Sequence, residues 1–371
     1  MKIGIDARLW NQTGIGRYIR NLVLNLHKID HKNNYVLFVR NDDKKNVEEE
    51  ITNYNWKIVA GSVRWHSLRD QISFPKIIKK EDVDLVHFPY FDIPFFYNRP
   101  YVITIHDLVY HHFMTGKAST NAIWLYGFKM LAYKILINNS ARKAKKIISV
   151  SNSTREEIFE HLLVNKNKVE VIYEAADDFN FKPDNKNSNG KYFLFVGNVY
   201  PHKNTDNLIK AFKIIKEKEK VKLIFAGSDD YFYSRLKKQT SKLIKEGSII
   251  IKENLSDNEL SGLYKNAVAL VRPSFMEGFS LPPLEAMGIE CLVLASDIPV
   301  HKEILKEAPF YFNPNDHIDL SQKMLYVLGL DEKDKSERIR KGKKLADEYS
   351  WEKTARETLK IYESSTTSRS V

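Results

Sequence analysis

The 371-residue chain is predicted to fold as two α/β domains, each built on a doubly wound parallel sheet. Three observations lead to this prediction. The chain is longer than one hydrophobic core usually supports, so two domains are expected. Short β-branched apolar runs alternate with helix-length amphipathic segments, which is typical of parallel sheets covered by helices on both faces. A polar stretch at residues 182–190 interrupts this alternation, and the same pattern then starts again.

The strands of both halves are predicted from short apolar runs. In the first half these runs are residues 2–5, 35–39, 85–88, 101–105, 146–150 and 168–172. In the second half they are residues 192–196, 222–225, 248–251, 267–271, 291–295 and 310–312. The first domain is expected to span residues 1–182 and the second residues 190–350. Ligands of such sheets bind at the carboxyl ends of the strands, so we expect a binding crevice between the two domains.

Composition and charge narrow the class of protein. The net charge of +11 suits a nucleic acid, an anionic membrane surface or a phosphorylated small molecule. The sequence contains neither a zinc-finger spacing nor an RNP-like run, so we expect no nucleic acid partner. Asp6 and Arg8 break the first apolar run, unlike a signal peptide, and no apolar stretch is long enough to span a bilayer, so a cytoplasmic protein is expected. Cys291, in an apolar run, is expected to be a buried strand residue.

Gly14 and Gly16 form the first candidate motif. They lie between the first strand and a helix predicted over residues 18–26. Glycines there let backbone amides approach an anion at a helix N-terminus. The pattern is not a dinucleotide fingerprint, because Ile19 stands where a third glycine is needed. A tight turn between strand and helix explains the two glycines equally well.

Lys203 lies in the second candidate motif, the loop at residues 197–204 that joins the strand at 192–196 to a helix. A lysine at the carboxyl end of a strand is a mobile point charge suited to a diphosphate. A solvated surface lysine is the alternative.

The third candidate motif, residues 275–287, runs from a loop into a helix that carries proline near its first position. Prolines have no N–H, so the amides available to an oxyanion precede them, and they belong to Gly278, Phe279, Ser280 and Leu281. Glu277 is predicted in the loop and Glu285 in the first helical turn. The alternatives are an exposed charge for Glu277 and a helix-capping side chain for Glu285.

Residues 277–286 resemble the paired-glutamate motif of the retaining GT-B glycosyltransferases of family 4, which include bacterial O-antigen mannosyltransferases. Supporting matches lie in both halves, at residues 5–8 with 13–18, 105–107, 150–151, and 197 with 203–204. The resemblance implies the GT-B fold, with two Rossmann-like domains facing a cleft. It also implies that the C-terminal helix at 351–371 crosses back onto the first domain, whereas its periodicity alone fits a last helix of the second domain equally well.

The resemblance also implies roles for individual residues. Glu277 would bind hydroxyls of the donor sugar and Glu285 those of the ribose. Lys203 would neutralise the leaving diphosphate, and His106 with Asp107 would face the reacting carbon. The other implied donor-binding residues are Gly14, Gly16, Asn198, Asn204, Gly278, Phe279, Ser280 and Leu281. A strand-end histidine that Asp107 merely orients is the alternative for His106.

Three positions depart from the family pattern. Asn198 stands where many members carry an arginine, which predicts less cationic help for Lys203. Ser280 and Ala175 each replace a common glycine. The acidic pair Asp229 and Asp230 is predicted to be a loop after a strand rather than a metal site.

The implied activity is metal-independent, cofactor-free transfer of a sugar, first of all mannose from GDP-mannose, in lipopolysaccharide O-antigen assembly. The acceptor would be a glycan or a polyprenol-linked molecule. A UDP-sugar donor and a GT-B-like sugar-nucleotide epimerase are the alternatives. A helix predicted over residues 121–146 carries Trp124, Leu125, Phe128, Leu131, Ala132, Ile135 and Leu136 on one side and ends in basic residues. It predicts peripheral attachment to the inner face of the cell membrane, or else a core-facing helix.

Overall fold

The computed structural model describes residues 1–61, 70–113, 123–176 and 190–366. These residues form two compact units. Unit 1 holds the described residues up to Leu108, those from 123 to 174 and those from 350 onward, and unit 2 holds the remainder. The predicted linker at 182–190 lies outside the described residues except for Gly190.

Unit 1 is built on a seven-stranded parallel sheet in the order β3-β2-β1-β4-β5-β6-β7. Its strands are β1 Lys2–Asp6, β2 Asn34–Val39, β3 Trp56–Ala60, β4 Leu85–Phe88, β5 Tyr101–Ile105, β6 Lys146–Ser149 and β7 Val169–Val171. Every strand predicted for this half is present. The prediction missed β3, a strand at the edge of the described sheet that pairs with β2 and whose Lys57 is exposed, so its apolar pattern is weak.

The helices of unit 1 lie between its strands in the sequence, with one exception near the C-terminus. They are α1 Thr13–Ile29, α2 Lys44–Glu50, α3 Asp70–Glu81, α5 Ile123–Lys143, α6 Asn152–His161 and α15 Trp351–Thr366. The predicted start of α1 at residue 18 is wrong, because the glycine segment itself forms the first helical turn. Ser151 caps α6 by accepting a hydrogen bond from the Thr154 amide.

The C-terminal helix α15 packs within unit 1, against α1 and against β4, β5 and β6. Tyr362 of α15 is fully buried, and its hydroxyl lies 2.6 Å from His87 Nδ1. The other ring nitrogen of His87 lies 2.8 Å from Thr104 Oγ1. Hydrogen bonds therefore join the last helix to the central strands β4 and β5.

Helix α5 carries an exposed apolar stripe. Phe128, Leu131 and Ile135 are 68%, 57% and 51% exposed, whereas Ile137 and Ala141 of the same helix are fully buried in the core. The alternative in which the predicted apolar side of this helix faces the core is therefore wrong for the three exposed residues. The side chains of Trp124 and Leu125 lie outside the described part of the chain.

Unit 2 is built on a six-stranded parallel sheet in the order β10-β9-β8-β11-β12-β13. Its strands are β8 Tyr192–Val196, β9 Lys222–Gly227, β10 Ile249–Glu253, β11 Ala269–Arg272, β12 Val293–Ser296 and β13 Phe310–Phe312. Every predicted strand is again present, with some ends shifted. Cys291 is buried as expected but precedes β12, so its placement inside the strand is wrong.

Most helices of unit 2 lie between its strands in the sequence. They are α4 Val109–His112, α7 Thr205–Lys216, α8 Tyr231–Gln239, α9 Ser241–Lys245, α10 Asp257–Asn266, α11 Leu281–Gly288, α12 Pro299–Leu305, α13 His317–Leu328 and α14 Glu332–Ala346. Asp230 caps α8 by accepting hydrogen bonds from the Phe232 and Tyr233 amides, and Asp229 lies in the loop before it, as predicted. Within the described ranges, no helix combines the length and apolarity needed to cross a bilayer.

Each sheet reverses its strand order beside its first strand. In unit 2 the reversal lies between β8 and β11, which are neighbours in the sheet. Connections from two such strands leave in opposite directions, which opens a crevice at their carboxyl ends. The loops that follow β8 and β11 are therefore the place where the topology of unit 2 favours a ligand.

Candidate active site

Glu277 lies at the centre of the candidate site, in the loop between β11 and α11. Its side chain is only 6% exposed, so the alternative of an exposed charge is wrong. Oε2 lies 2.7 Å from Lys203 Nζ, and Oε1 lies 2.7 Å from Arg272 Nη2. Burial would raise the pKa of Glu277, but the charges of Arg272 and Lys203 outweigh burial and hold that pKa well below its usual range. Glu277 is therefore an ionised carboxylate.

Lys203 reaches Glu277 from the loop that follows β8. It ends a short 3₁₀ turn, Pro201–Lys203, and Asn204 follows in the left-handed conformation with φ of 56°. The Asn204 side-chain amide donates to the Pro273 carbonyl at 2.9 Å and to the Pro314 carbonyl at 2.7 Å. Asn204, predicted to bind the donor, thus fixes the Lys203 loop with both of its N–H groups, one bonded to the loop after β11 and the other to the loop after β13.

Arg272 is the functional candidate that the sequence analysis missed, because the predicted strand stopped at residue 271. It is the last residue of β11 and is 4% exposed. Nη1 donates to the Val196 carbonyl at 2.8 Å, and a Cβ at Gly197 would lie 3.2 Å from Nη1. The signal in the sequence is a single arginine that ends an apolar strand.

Asn198, which stands where many family members carry an arginine, was expected to leave the site with less positive charge. Asn198 directly follows Gly197, and the Arg272 guanidinium lies at this same end of β8. The described site therefore holds two cations, Lys203 and Arg272, on one carboxylate. Asn198 Oδ1 and Arg272 Nε are both buried and have no hydrogen-bond partner within the described ranges.

The residues before α11 form a tight turn. The helix begins at Leu281 and has prolines at its next two positions, as predicted. Ser280 precedes it in the left-handed region with φ of 77°, a conformation in which glycine is more usual. The implied contacts of Gly278, Phe279, Ser280 and Leu281 with a ligand stay predictions.

The His301 ring contacts the Ser280 hydroxyl. Its Nδ1 lies 2.9 Å from the Ser296 carbonyl, which can only accept, and its Nε2 lies 3.3 Å from Ser280 Oγ. Burial lowers the pKa of His301 to about 4, so the ring is neutral and Nε2 accepts from the Ser280 hydroxyl. Burial, together with the charge of Lys203, likewise lowers the pKa of His202 to about 3.

Glu285 lies in the second turn of α11 rather than the first, and its side chain is buried. The helix-capping alternative is wrong, since the third helical residue is Pro283 and Ser280 makes no side-chain cap. Instead, Glu285 Oε2 accepts a hydrogen bond from the Tyr264 hydroxyl at 2.8 Å. The two glutamates of the motif therefore have different partners, Tyr264 for Glu285 and Lys203 with Arg272 for Glu277.

His106 and Asp107 follow β5 in unit 1. His106 Nδ1 lies 2.9 Å from Glu174 Oε1, and Nε2 lies 3.0 Å from the Pro89 carbonyl. A carboxylate and a carbonyl oxygen accept hydrogen bonds, so these two contacts favour the ring form in which both nitrogens carry a proton. Burial lowers the pKa of His106, but the hydrogen bond and charge of Glu174 outweigh burial and raise it. The sequence analysis missed Glu174, which lies beyond the short strand β7.

Gly14 and Gly16 lie in the first turn of α1. A Cβ at Gly16 would lie 2.7 Å from the Leu9 carbonyl oxygen, so close backbone approach requires this glycine. Gly14 is exposed and has open space where a Cβ would stand. Packing explains Gly16, and contact of either glycine with a phosphate stays a prediction.

Comparison with known proteins identifies the family. The profile of Glycosyltransferase Family 4 matches residues 12–178, and that of Glycosyl transferases group 1 matches residues 176–345. The O-antigen chain mannosyltransferase RfbU of Salmonella typhimurium is 30% identical over 252 residues, which are 68% of this chain and 67% of that protein.

Solved structures have the same architecture. A glycosyltransferase from Rickettsia africae superposes with a TM-score of 0.73 at 19% identity, covering 100% of this chain and 99% of the other. Anabaena HepE, crystallised with UDP and glucose, superposes with a TM-score of 0.74 at 15% identity, covering 98% of this chain and all of the other. With both family profiles and the sheet topology, these matches show that the chain belongs to the family 4 glycosyltransferases of the GT-B fold.

Proposed function

We propose that the protein is a retaining hexosyltransferase that moves mannose from GDP-mannose onto a glycan or polyprenol-linked acceptor in O-antigen assembly. The observation that carries this proposal is the buried ion pair of Glu277 with Lys203 at the strand reversal of unit 2. The choice of mannose and of O-antigen assembly is supported by the Salmonella relative, which is an O-antigen chain mannosyltransferase.

The unit 2 residues suit a sugar nucleotide because they offer both cationic and hydrogen-bonding groups. An ionised Glu277 accepts hydrogen bonds from sugar hydroxyls, and Lys203 beside it stabilises charge on the departing phosphate. The amides of residues 278–281 precede the prolines of α11 and add to that stabilisation. Glu285 holds the ribose hydroxyls. The acceptor attacks from the face that the phosphate leaves, and the phosphate takes the acceptor proton.

This arrangement supplies positive charge from side chains, so we propose transfer without a metal or other cofactor. A lysine and helix-end amides fulfil the role that a divalent cation has in other transferases. In unit 1 the His106 ring is held at both nitrogens by Glu174 and Pro89, so we assign it an electrostatic role in the transfer rather than that of a base.

The exposed stripe of α5 supports a peripheral position on an anionic membrane. Leu131 and Ile135 face solvent, and Arg142 and Lys143 end the same helix, also exposed. Apolar side chains beside cations are the pattern of helices that lie in the headgroup region. A polyprenol-linked acceptor would be presented at such a surface.

A UDP-sugar is the second candidate donor, because HepE, which has the same fold, was crystallised with UDP and glucose. Thermal unfolding with GDP, UDP, ADP and their sugars separates these donors. A ligand at a hundred times its Kd adds about 2.7 kcal/mol to the unfolding free energy. We expect the largest shift with GDP or GDP-mannose, and a panel without any shift contradicts the proposal. A sugar nucleotide that changes without any acceptor would indicate the epimerase instead.

A further inference from the structure

Arg272 is held in a position that its known contacts do not fully explain. It ends β11, one of the two strands that flank the reversal of unit 2, and its side chain is only 5% exposed. Burying a guanidinium is costly unless its charge and its N–H groups are satisfied. An apolar residue at the end of a buried strand would avoid that cost.

The N–H groups of Arg272 are only partly used. Nη2 donates to Glu277 and Nη1 to the Val196 carbonyl, whereas Nε is buried and has no acceptor within the described ranges. A guanidinium has five N–H donors in a planar fork. Some N–H groups of the guanidinium are therefore not used, and Nε is an unpartnered polar group at the carboxyl end of the sheet within the described ranges.

The charge balance at Arg272 points to an anion. Among the described residues, the carboxylate that pairs with Arg272 is Glu277, which also pairs with Lys203. A planar fork matches the paired oxygens of a phosphate better than those of any neutral ligand. Gly197 follows β8 with φ of 123°, and a Cβ there would lie 3.2 Å from Nη1, so a side chain at this position would press on the guanidinium. The backbone on this side is thus shaped to admit the guanidinium.

We propose that Arg272 is the second cation for the diphosphate of the donor, binding it beside Lys203. This inference rests on the proposed function, since it names a further residue for the same ligand. Arg272 acts on the diphosphate group itself, and so it distinguishes nucleoside diphosphates from monophosphates.

The test compares calorimetric titrations of GDP, UDP, GMP and UMP into the full chain. Wild type, Arg272→Gln and Arg272→Lys are measured, and Arg235→Gln, which removes an exposed arginine of α8, is the charge-matched control. Thermal unfolding establishes that each variant is folded. Asn198→Arg is then combined with Arg272→Gln. Position 198 lies two residues after Val196, whose carbonyl Arg272 contacts, so an arginine there can place a cation near the one that was removed.

We expect Arg272→Gln to weaken the binding of the preferred nucleoside diphosphate by roughly ten- to a hundredfold, because hydrogen bonds between charged groups are the strong ones. The binding of the matching monophosphate should weaken by less than about threefold. Arg272→Lys should lie between them, and Asn198→Arg should restore part of the loss. Equal losses for both nucleotides, or no loss, overturn the inference while leaving the proposed function intact. If wild type binds neither GDP nor UDP, the proposed function fails and this inference fails with it.

Discussion

His106 and Glu174 form an ion pair in unit 1, with Nδ1 2.9 Å from Oε1. The pair joins the end of β5 to the segment after β7. The Pro89 carbonyl lies 3.0 Å from the other ring nitrogen, so contacts at both nitrogens hold the ring in one orientation. The protonation of this histidine therefore depends on a carboxylate that is distant in the sequence.

Replacing Glu174 by Gln should lower the pKa of His106 from above 6.5 to below it, since burial remains while the favourable charge is removed. In wild type the stabilisation by this pair is complete below about pH 6.5 and is lost as the pH rises through the raised pKa. The measurement is a histidine-ring NMR titration, with the His106 signals assigned from His106→Gln. Glu170→Gln, which changes a half-exposed carboxylate on β7, is the control and should leave the titration unchanged. An unchanged titration in Glu174→Gln contradicts the ion pair.

The Ser280→Gly variant should have a higher unfolding free energy than Ser280→Ala, by about 1 kcal/mol. The φ of 77° at this position is unfavourable for a residue with a side chain and not for glycine. Both variants remove the hydroxyl that lies 3.3 Å from His301, so their difference isolates the backbone. Chemical denaturation monitored on unit 2 measures it. At Ser234, exposed in α8, the order should reverse, since alanine is favoured in a helix. The same order at both sites argues against strain at Ser280.

The sequence predicted those elements of the fold that depend on local patterns, between residues close together in the chain. Strands such as β5 and β8 were located at their bounds because buried parallel strands are continuous apolar runs, a local signal. The edge strand β3 carries less of that signal and was missed. Helix α1 was predicted too short, because glycines are common at helix starts and indicate no exact first residue.

The candidate site shows the same distinction. Glu277 was found because its motif is local, and its loop position is confirmed. Its partnership with Arg272 and Lys203 depends on two neighbouring strands of the folded sheet, which no local pattern encodes. Glu174 was missed as a partner of His106 for that reason as well. Long-range pairs of charges require the fold before they can be recognised.

Transfer should continue in excess EDTA, because Lys203 and the amides before α11 stabilise the diphosphate without a cation. The measurement is donor turnover before and after chelation and dialysis, at constant ionic strength. Lys203→Gln in the same assay should lower turnover by roughly a hundredfold, if this side chain contributes as a typical preorganised donor does. Complete loss in EDTA that Mg²⁺ or Mn²⁺ restores would show that the diphosphate needs a metal.

The protein should bind vesicles that contain anionic lipid, and salt should weaken this binding, because the chain carries a net charge of +11 and α5 exposes Leu131 and Ile135. Replacing both residues by Gln should reduce co-flotation several-fold without affecting the core, since both face solvent. Ile318→Gln, an exposed isoleucine of α13, is the matched control and should bind as wild type does. Equal binding to neutral and anionic vesicles, or none to either, contradicts the membrane proposal.

The two glutamates of the paired motif should affect different kinetic constants. Glu277 is proposed to bind the sugar, whose charge changes in the transition state, and Glu285 to bind the ribose, which does not change. Interactions that strengthen only in the transition state lower kcat when removed, whereas uniform binding raises KM. We therefore expect Glu277→Gln to lower kcat by about tenfold or more and Glu285→Gln to raise the donor KM by a similar factor.

The structure provides the controls for this separation. Glu277→Gln keeps the shape of the side chain but removes the charge between Lys203 and Arg272, so thermal unfolding must first show that the variant is folded. Tyr264→Phe removes only the hydroxyl that donates to Glu285. If Glu285 binds the ribose, this variant should raise the donor KM less than Glu285→Gln does and leave kcat unchanged. Turnover and donor KM within a few-fold of wild type in both glutamate variants would mean that the pair only holds the loop and α11 in place, and the site assignment would then be wrong.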